Sequence, residues 1–439
     1  MARKLFGTDG VRGAAGEFLS AELALALAQA ATRQAPGQRP QVVILRDTRE
    51  SGEMLQSALA AGVSSAGGDA LLAGVLPTPA APLLLARYGF DLAIVVSASH
   101  NPYQDNGIKF FAADGYKLSD ERELEIERAL EGGTTADAAT IGRVRVLRGA
   151  PEDYLRELHT RFGELDLQGL DVLLDCANGA TYQVAPEIFR RLGAHVTVLA
   201  DTPDGRNIND NCGSTHLQTL SDAVPRGGHA IGFAFDGDGD RVLAVDRRGV
   251  IVDGDELLAL AALHLRGQER LRGDGVVVTV MTNYGFHTAM QQAGVAVATT
   301  NVGDRYVLEE LRKRGWTLGG EQSGHIIDMG FNRTGDGIAS ALLTLESLAG
   351  RDLSAREAMA RLPQRLVSVR VRDRDALAHS PAVAEAVQTT ADGLAGRGRV
   401  LVRSSGTEPL VRVMVEAPSD HEAHELCKRL AALVQRELA

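Results

Sequence analysis

The chain has little of what staples or anchors a protein. Its 439 residues include three cysteines, Cys176, Cys212 and Cys427, one tryptophan and only 4% aromatics. Cysteines so far apart and odd in number lack the spacing of a zinc site and set up no disulfide framework. Only Lys4, Lys109, Lys117, Lys313 and Lys428 are lysines. None follows a glycine, which excludes a Walker A phosphate loop. There is no Gly-x-Ser-x-Gly elbow, which argues against a serine hydrolase. No run reaches the ~18 apolar residues of a membrane helix. The first residues, Met-Ala-Arg-Lys-Leu-Phe, lack the apolar core of a signal peptide, so the expected location is the cytoplasm. The balance of 46 − 57 = −11 charges excludes non-specific binding to nucleic acid. An anionic ligand must then be held by a local group of arginines.

What is present is Ala, Leu, Val and Gly, the usage of buried strands alternating with helices. The length suggests three or four domains. One arrangement recurs: an apolar strand, a polar turn, an amphipathic helix, then a second short strand. It begins at Val42-Val-Ile-Leu, at Val172-Leu-Leu-Asp and at Val276-Val-Val-Thr. The helices fall near Glu53–Ala66, Val184–Leu192 and Phe286–Ala293. Strand, helix, strand predicts right-handed βαβ units and mostly parallel sheets. Each copy ends in a further strand that breaks into a polar loop: Ser97-Ala-Ser-His-Asn-Pro102, Asp236-Gly-Asp-Gly-Asp-Arg241 and Gly320-Glu-Gln-Ser-Gly-His325. The last part differs. Two apolar strands, 399–403 and 410–416, flank Ser404-Ser-Gly-Thr-Glu-Pro409, and a helix closes the chain. The expected fold is α/β: three similar α/β domains with mixed, mostly parallel sheets plus a smaller C-terminal α+β domain. The expected boundaries are 1–150, 151–252, 253–365 and 366–439, with the loops pointing into one cleft.

Asp236, Asp238 and Asp240 place three carboxylates on a Gly-rich turn, and such a cluster calls for a hard divalent cation. A calcium EF-hand fails on counting, because Arg241 and Arg247 stand where that loop needs Gly and Glu. A magnesium site open to a phosphate oxygen fits better. The loop at Ser97 offers hydroxyls beside His100, and a positioned serine is a competent phosphoryl acceptor. Arg403, Ser404, Ser405, Gly406 and Thr407, with Arg412 across the hairpin, suit a phosphate dianion. Glu321 and Ser323 suit the hydroxyls of a sugar. Arg12, Arg49, Arg241 and Arg305 flank turns and are candidates to line a phosphate-binding cleft. His421 and His424 lack zinc-protease spacing and read as a solvated helix face.

Together, from Gly7-Thr-Asp-Gly-Val-Arg-Gly13 to the last loop, these motifs resemble the α-D-phosphohexomutase family, in order and over nearly the whole chain. The resemblance implies four domains around a central cleft, Ser99 as a phosphoserine, and one Mg²⁺ held by Asp236, Asp238, Asp240 and Ser99. It implies a phosphosugar substrate, a sugar 1,6-bisphosphate as activator, and neither nucleic acid nor membrane as partner, with a homodimer left open. Arg241 and Arg12 would support the transferring phosphoryl group. Lys109 is the first choice of general base, on the expectation that burial beside arginines lowers its pKa, with His100 and His325 as alternatives. Asn207-Ile-Asn-Asp-Asn-Cys-Gly-Ser-Thr-His216, Val302-Gly-Asp-Arg-Tyr-Val307 and the Gln322 form of the third loop resemble the branch acting on glucosamine phosphates. A relative acting on glucose or mannose phosphates would share every catalytic residue. A magnesium phosphatase and a non-catalytic sugar-phosphate binder are the rivals from other classes.

Overall fold

The computed structural model describes residues 4–7, 9–132, 140–373, 375–405 and 409–438. They form two compact units: Met1–Val280 with Ala298–Arg356, and Met281–Val297 with Glu357–Ala439. Among the described residues, no helix is long and apolar enough to cross a membrane.

In the first unit, the recurring motif folds as its periodicity predicts. Strand Gln41–Arg46, helix Ser51–Ser65 and strand Asp69–Val75 form a βαβ unit whose strands pair in parallel. Asp171–Asp175, the helix Val184–Arg191 and His195–Leu199 repeat it. Leu92–Val96 lies parallel to Gln41–Arg46 and is buried at every residue, as its unbroken apolar run requires. Helix Ala21–Gln34 starts where the Ser20 side chain accepts the Leu23 N–H, at 3.2 Å. It packs Leu27 into a core with Val42, Ile44, Leu55, Leu59 and Ile94.

Each sheet reverses direction at its polar loop. Leu92–Val96 passes through the Ser97 loop and returns antiparallel as Asp105–Ala112. Ile231–Phe235 passes through the aspartate loop and returns as Val242–Asp246. Leu318–Gly320, parallel to Gly275–Thr279, passes through the third loop and returns as Ile326–Asp328. The sheets are therefore mixed, and all three loops leave the carboxyl end of a strand with a parallel neighbour, the position where open α/β sheets place ligands.

The second unit carries a three-stranded antiparallel sheet. Leu410–Glu416 lies between Gln364–Arg370 and Arg399–Ser404. Helices Pro381–Leu394 and Asp420–Leu438 accompany it. Val411, Val413 and Val415 meet Cys427, Leu430 and Val434 in its core. The segment at 281–297 joins this unit: the Tyr284 N–H donates to Glu416 at 2.8 Å and Arg399 donates to the Thr282 carbonyl at 2.8 Å. All three cysteines are free and buried.

Candidate active site

Ser99 is buried and non-glycine, yet its φ is +54°. That left-handed conformation costs roughly 1–3 kcal/mol and persists only where neighbours over-determine it. The neighbours are present. Ser97 Oγ donates to Asp47 at 2.6 Å and accepts the Ser99 N–H at 3.0 Å. The result aims Ser99 Oγ at Asp236 Oδ2, 2.6 Å away.

Asp236, Asp238 and Asp240 are buried and offer oxygens that all lie within 4.8 Å of one another. A Cβ on Gly237 would come 2.5 Å from the Ser99 carbonyl oxygen, so only glycine lets the two loops touch there. Thr78 fixes Asp238, donating its hydroxyl to Oδ2 at 2.6 Å. Asp238 Oδ1 and Asp240 Oδ1 are buried without a hydrogen-bond partner. The carboxylates are pulled apart electrically: burial, then Asp240 and Asp238, push Asp236 well above the usual range. Burial opposes ionisation of Asp240 too, but His325, Lys109 and Arg241 hold it below the usual range. Three hard oxygen donors, two of them unsatisfied, fit a divalent cation.

Lys109 is the centre of the opposing charge. Its ammonium lies 2.8 Å from Asp238, 3.0 Å from Asp9 and 3.9 Å from Asp240. Burial works to lower its pKa, but Asp238, Asp9 and Asp240 outweigh burial and raise it. This reverses the sequence expectation, because carboxylates rather than arginines dominate around it. Asp9 also binds Arg12 and Lys117, and Lys117 lies 2.5 Å from Asp304. His325 Nε2 is 3.9 Å from Asp304 and its Nδ1 is 3.6 Å from Asp240. Alternating charges thus run from Asp304 through Lys117, Asp9 and Lys109 to Asp238 and Asp240, with the His325 ring between Asp240 and Asp304. The Gly335 N–H donates to His325 Nε2 at 3.1 Å, which fixes the neutral tautomer with its proton on Nδ1, although Asp240 and Asp304 favour the charged ring over burial.

His100 Nδ1 lies 3.3 Å from Ser99 Oγ and 3.1 Å from Arg241 Nη1. Burial, then Arg241 and Arg12, lower its pKa to about 4, so the ring is neutral at pH 7. The Nε groups of Arg12 and Arg241 are buried without an acceptor. Both guanidiniums therefore keep donor capacity beside the aspartates and Ser99.

Two other arginines are not in such a place. Arg49 is fully buried against Asp47 and spends its donors on backbone carbonyls of 99–105. Arg305 pairs with Asp120, Glu123 and Glu309, because the acidic first turn of helix Asp120–Glu131 captures it. Arg49 has no donor left for a phosphate, and Arg305 is committed to neighbouring carboxylates.

In the third loop, Glu321 is buried and accepts the Gly303 N–H at 3.0 Å, while Ser323 is exposed. Gln322 donates to Asp253 at 3.2 Å, the N-cap of helix Gly254–Gly267, so it anchors the loop to its own scaffold. In the second unit, Arg403 and Arg412 stand directly opposite on neighbouring strands. Burial and then Arg412 lower the Arg403 pKa. Ser404 ends its strand and the Ser405 N–H donates to the Leu410 carbonyl at 2.8 Å. Gly406 and Thr407 lie outside the described residues.

Sequence reasoning missed Asp9, Thr78, Lys117, Asp304 and the loop at Gly335–Gly337. Asp9 and Asp304 lay inside the Gly7–Gly13 and Val302–Val307 motifs, with no role assigned to either. The others carry no local signal, because their partners are distant in the chain.

Sequence signatures of phosphoglucomutase/phosphomannomutase match in four consecutive pieces: alpha/beta/alpha domain I at residues 3–137, domain II at 152–249, domain III at 253–366 and the C-terminal domain at 366–433. The chain belongs to this family. Within it, a protein of Moorella thermoacetica named phosphoglucosamine mutase is 52% identical over 96% of this chain and 97% of its own length. One of Desulforudis audaxviator with the same name is 52% identical over 98% and 97%. In fold, the chain is similar to a family member from Burkholderia thailandensis, with a TM-score of 0.83, 24% identity and coverage of 99% and 98%. It is also similar to the N-acetylphosphoglucosamine mutase of Aspergillus fumigatus, solved with GlcNAc-6P and magnesium, with a TM-score of 0.68, 19% identity and coverage of 99% and 96%.

Proposed function

We propose that this chain is a phosphosugar mutase that interconverts glucosamine 6-phosphate and glucosamine 1-phosphate through phospho-Ser99. The observation that carries the reading is the strained Ser99 hydroxyl at 2.6 Å from a three-carboxylate cluster with unsatisfied oxygens. The relatives at 52% identity supply the substrate. The location consistent with this chemistry is the cytoplasm.

Phospho-Ser99 donates first. The sugar hydroxyl oxygen at the free position forms a bond to phosphorus, the bond from phosphorus to Ser99 Oγ breaks, and the hydroxyl proton passes to a base. The departing Ser99 Oγ takes up a proton, and the products are a 1,6-bisphosphate and unmodified Ser99. After the intermediate turns over, Ser99 Oγ bonds to the other phosphorus and gives its proton to the base, the bond from that phosphorus to the sugar oxygen breaks, that oxygen takes up the proton, and the second monophosphate leaves. A trace of free 1,6-bisphosphate would load Ser99 at the start. Asp236, Asp238, Asp240 and a phosphoserine oxygen would hold one Mg²⁺, which supplies charge neutralisation for phosphoryl transfer. Arg12 and Arg241, whose Nε–H groups have no hydrogen-bond acceptor, would stabilise the charge that develops on the transferring oxygens. Lys109 neutralises Asp238 and Asp9, whose charges raise its pKa; Lys109 stays the first candidate for base, with His100, 3.3 Å from Ser99 Oγ, and His325 as the alternatives. Glu321 and Ser323 would read sugar hydroxyls, with His325 held beside them. Arg403, Ser404, Ser405, Gly406, Thr407 and Arg412 would hold the phosphate that is not reacting.

The test is kcat/KM for glucosamine 6-phosphate and glucose 6-phosphate, side by side, with Mg²⁺ and the matching 1,6-bisphosphate. A preference of tenfold or more for the amino sugar, about 1.4 kcal/mol, supports the reading. Equal rates or a glucose preference keep the mutase chemistry and overturn the substrate. Stoichiometric release of inorganic phosphate indicates a phosphatase.

A further inference from the structure

The Ser99 and Asn101 carbonyls are gripped twice. Arg49 Nη2 donates to both, at 2.9 and 2.8 Å. Asn209 Nδ2 donates to the same two, at 2.9 and 3.1 Å. A carbonyl oxygen has two lone pairs, so this pair of donors fills both acceptors on either side of His100. Arg49 comes from the sheet that carries Ser99. Asn209 comes from the sheet that carries the aspartates, in the segment 207–213. It is buried and is itself in the left-handed conformation, with φ +59° and its N–H donated to the Ala177 carbonyl at 2.9 Å. Asn is one of the few side-chain residues that tolerate that conformation and still present an amide donor.

The same amide touches the metal loop. A Cβ on Gly237 would lie 2.7 Å from Asn209 Nδ2 and 2.5 Å from the Ser99 carbonyl oxygen. Asn209 therefore sits at the junction of the Ser99 and Asp236 loops, without touching the reacting hydroxyl. Its two hydrogen bonds set the peptide planes from which Ser99 Oγ and the His100 ring project. Arg49 cannot do this alone, since it belongs to the same sheet as Ser99 and fixes nothing relative to the aspartates.

We propose that Asn209 is a positioning residue: its side-chain amide, opposite Arg49, locks the Ser99–Asn101 turn in register with the aspartate loop, so that Ser99 Oγ meets Asp236. The proposal rests on the reading of Ser99 as the phosphoryl carrier. It gives the Asn207–His216 segment a contact with the Ser99 loop through Asn209.

The test compares wild type with Asn209→Gly, which keeps the backbone conformation and removes the donor. Asn209→Asp keeps the shape but turns the donor into an acceptor. Arg49 is unsuitable, because its loss leaves the buried Asp47 carboxylate without its counter-charge. Hydrogen exchange is followed on peptides covering 97–105 and, as a reference, Ile231–Phe235. The expected result is a kcat lower by about 10²-fold, the scale of a 1 Å misplacement, with KM for glucosamine 6-phosphate changed less than about threefold. Exchange should accelerate at 97–105 and stay unchanged in the reference strand. The proposal is overturned if both variants keep kcat within about threefold, or if exchange rises equally in both peptides, the mark of general loosening. If wild type itself shows no turnover, the functional reading fails, and the exchange arm alone still decides the clamp.

Discussion

The loops around Ser99 and the Arg403–Arg412 hairpin both have the chemistry to meet a phosphoryl group, but they are built in opposite ways. Around Ser99 the polar atoms are buried and tied down: Ser97, Thr78, Arg49 and Asn209 each hold a named partner. At the hairpin, two half-buried arginines face each other across neighbouring strands, and their mutual repulsion lowers the pKa of Arg403 further than burial alone. One region stores its cost as strain and desolvation so that the reacting groups need no rearrangement. The other places two like charges side by side on neighbouring strands. Chemistry demands fixed atoms, whereas the phosphate anchor proposed for the hairpin would need charge more than fixed geometry.

The sharpest way to break this contrast is at the nucleophile. Ser99→Ala should lower kcat by at least about 10⁴-fold, since among the described residues Ser99 supplies the hydroxyl that bonds Asp236. Circular dichroism and Tm should stay close to wild type. Residual turnover within tenfold of wild type would show that Ser99 is not the carrier.

The second concerns the aspartates. With no cation their charges oppose one another, so Mg²⁺ should stabilise the fold as well as activate it. At a hundred times its Kd it should add about 2.7 kcal/mol to stability, read as a rise in Tm that chelation reverses. An Asp236→Asn, Asp240→Asn double variant should show no such rise.

The third measures what the buried region costs. Asp336 caps helix Gly337–Leu348, and burial raises its pKa to about 6 despite hydrogen bonds from Ala339, Tyr154 and Asn332. Unfolded, it titrates near its ordinary value of about 3.9. The folded state therefore binds the extra proton between those values, and stability falls as pH rises from about 4 to 6, by at most about 3 kcal/mol. Asp336→Asn should lose this dependence. Its stability relative to wild type should climb between pH 4 and 7 in denaturant titrations; a flat difference would contradict the buried-acid account.

The smallest effect belongs to the hairpin. Arg403→Met should raise KM for the sugar phosphate by about 10- to 100-fold, the worth of a charge-assisted hydrogen bond. It should also gain roughly 0.2–1 kcal/mol in stability by removing a like-charge cross-strand pair. A stability loss of that size would mean the pair does not repel.

Much of this was legible in the sequence where the signal is local. The βαβ periodicity at 42–75 and 172–199, the three polar loops and the final hairpin need only short-range patterns. What failed to show was anything decided by residues far away in the chain. Lys109 reads as a lysine among arginines, yet Asp9 and Asp238 close on it and raise its pKa. Arg49 and Arg305 read as cleft arginines, and the fold spends them on carbonyls and carboxylates. Asn209 looked like part of a branch signature, with no hint of the carbonyls it meets. Turn chemistry is written in neighbours, whereas electrostatic environment is written in topology.

The most direct test of the central claim is to incubate the protein with glucosamine 1,6-bisphosphate and Mg²⁺ and map its phosphorylation by mass spectrometry. The account predicts a single phosphoryl group on Ser99 that disappears when glucosamine 6-phosphate is added and reappears as sugar bisphosphate. An unmodified Ser99, or a phosphoryl group released only as inorganic phosphate, would contradict it.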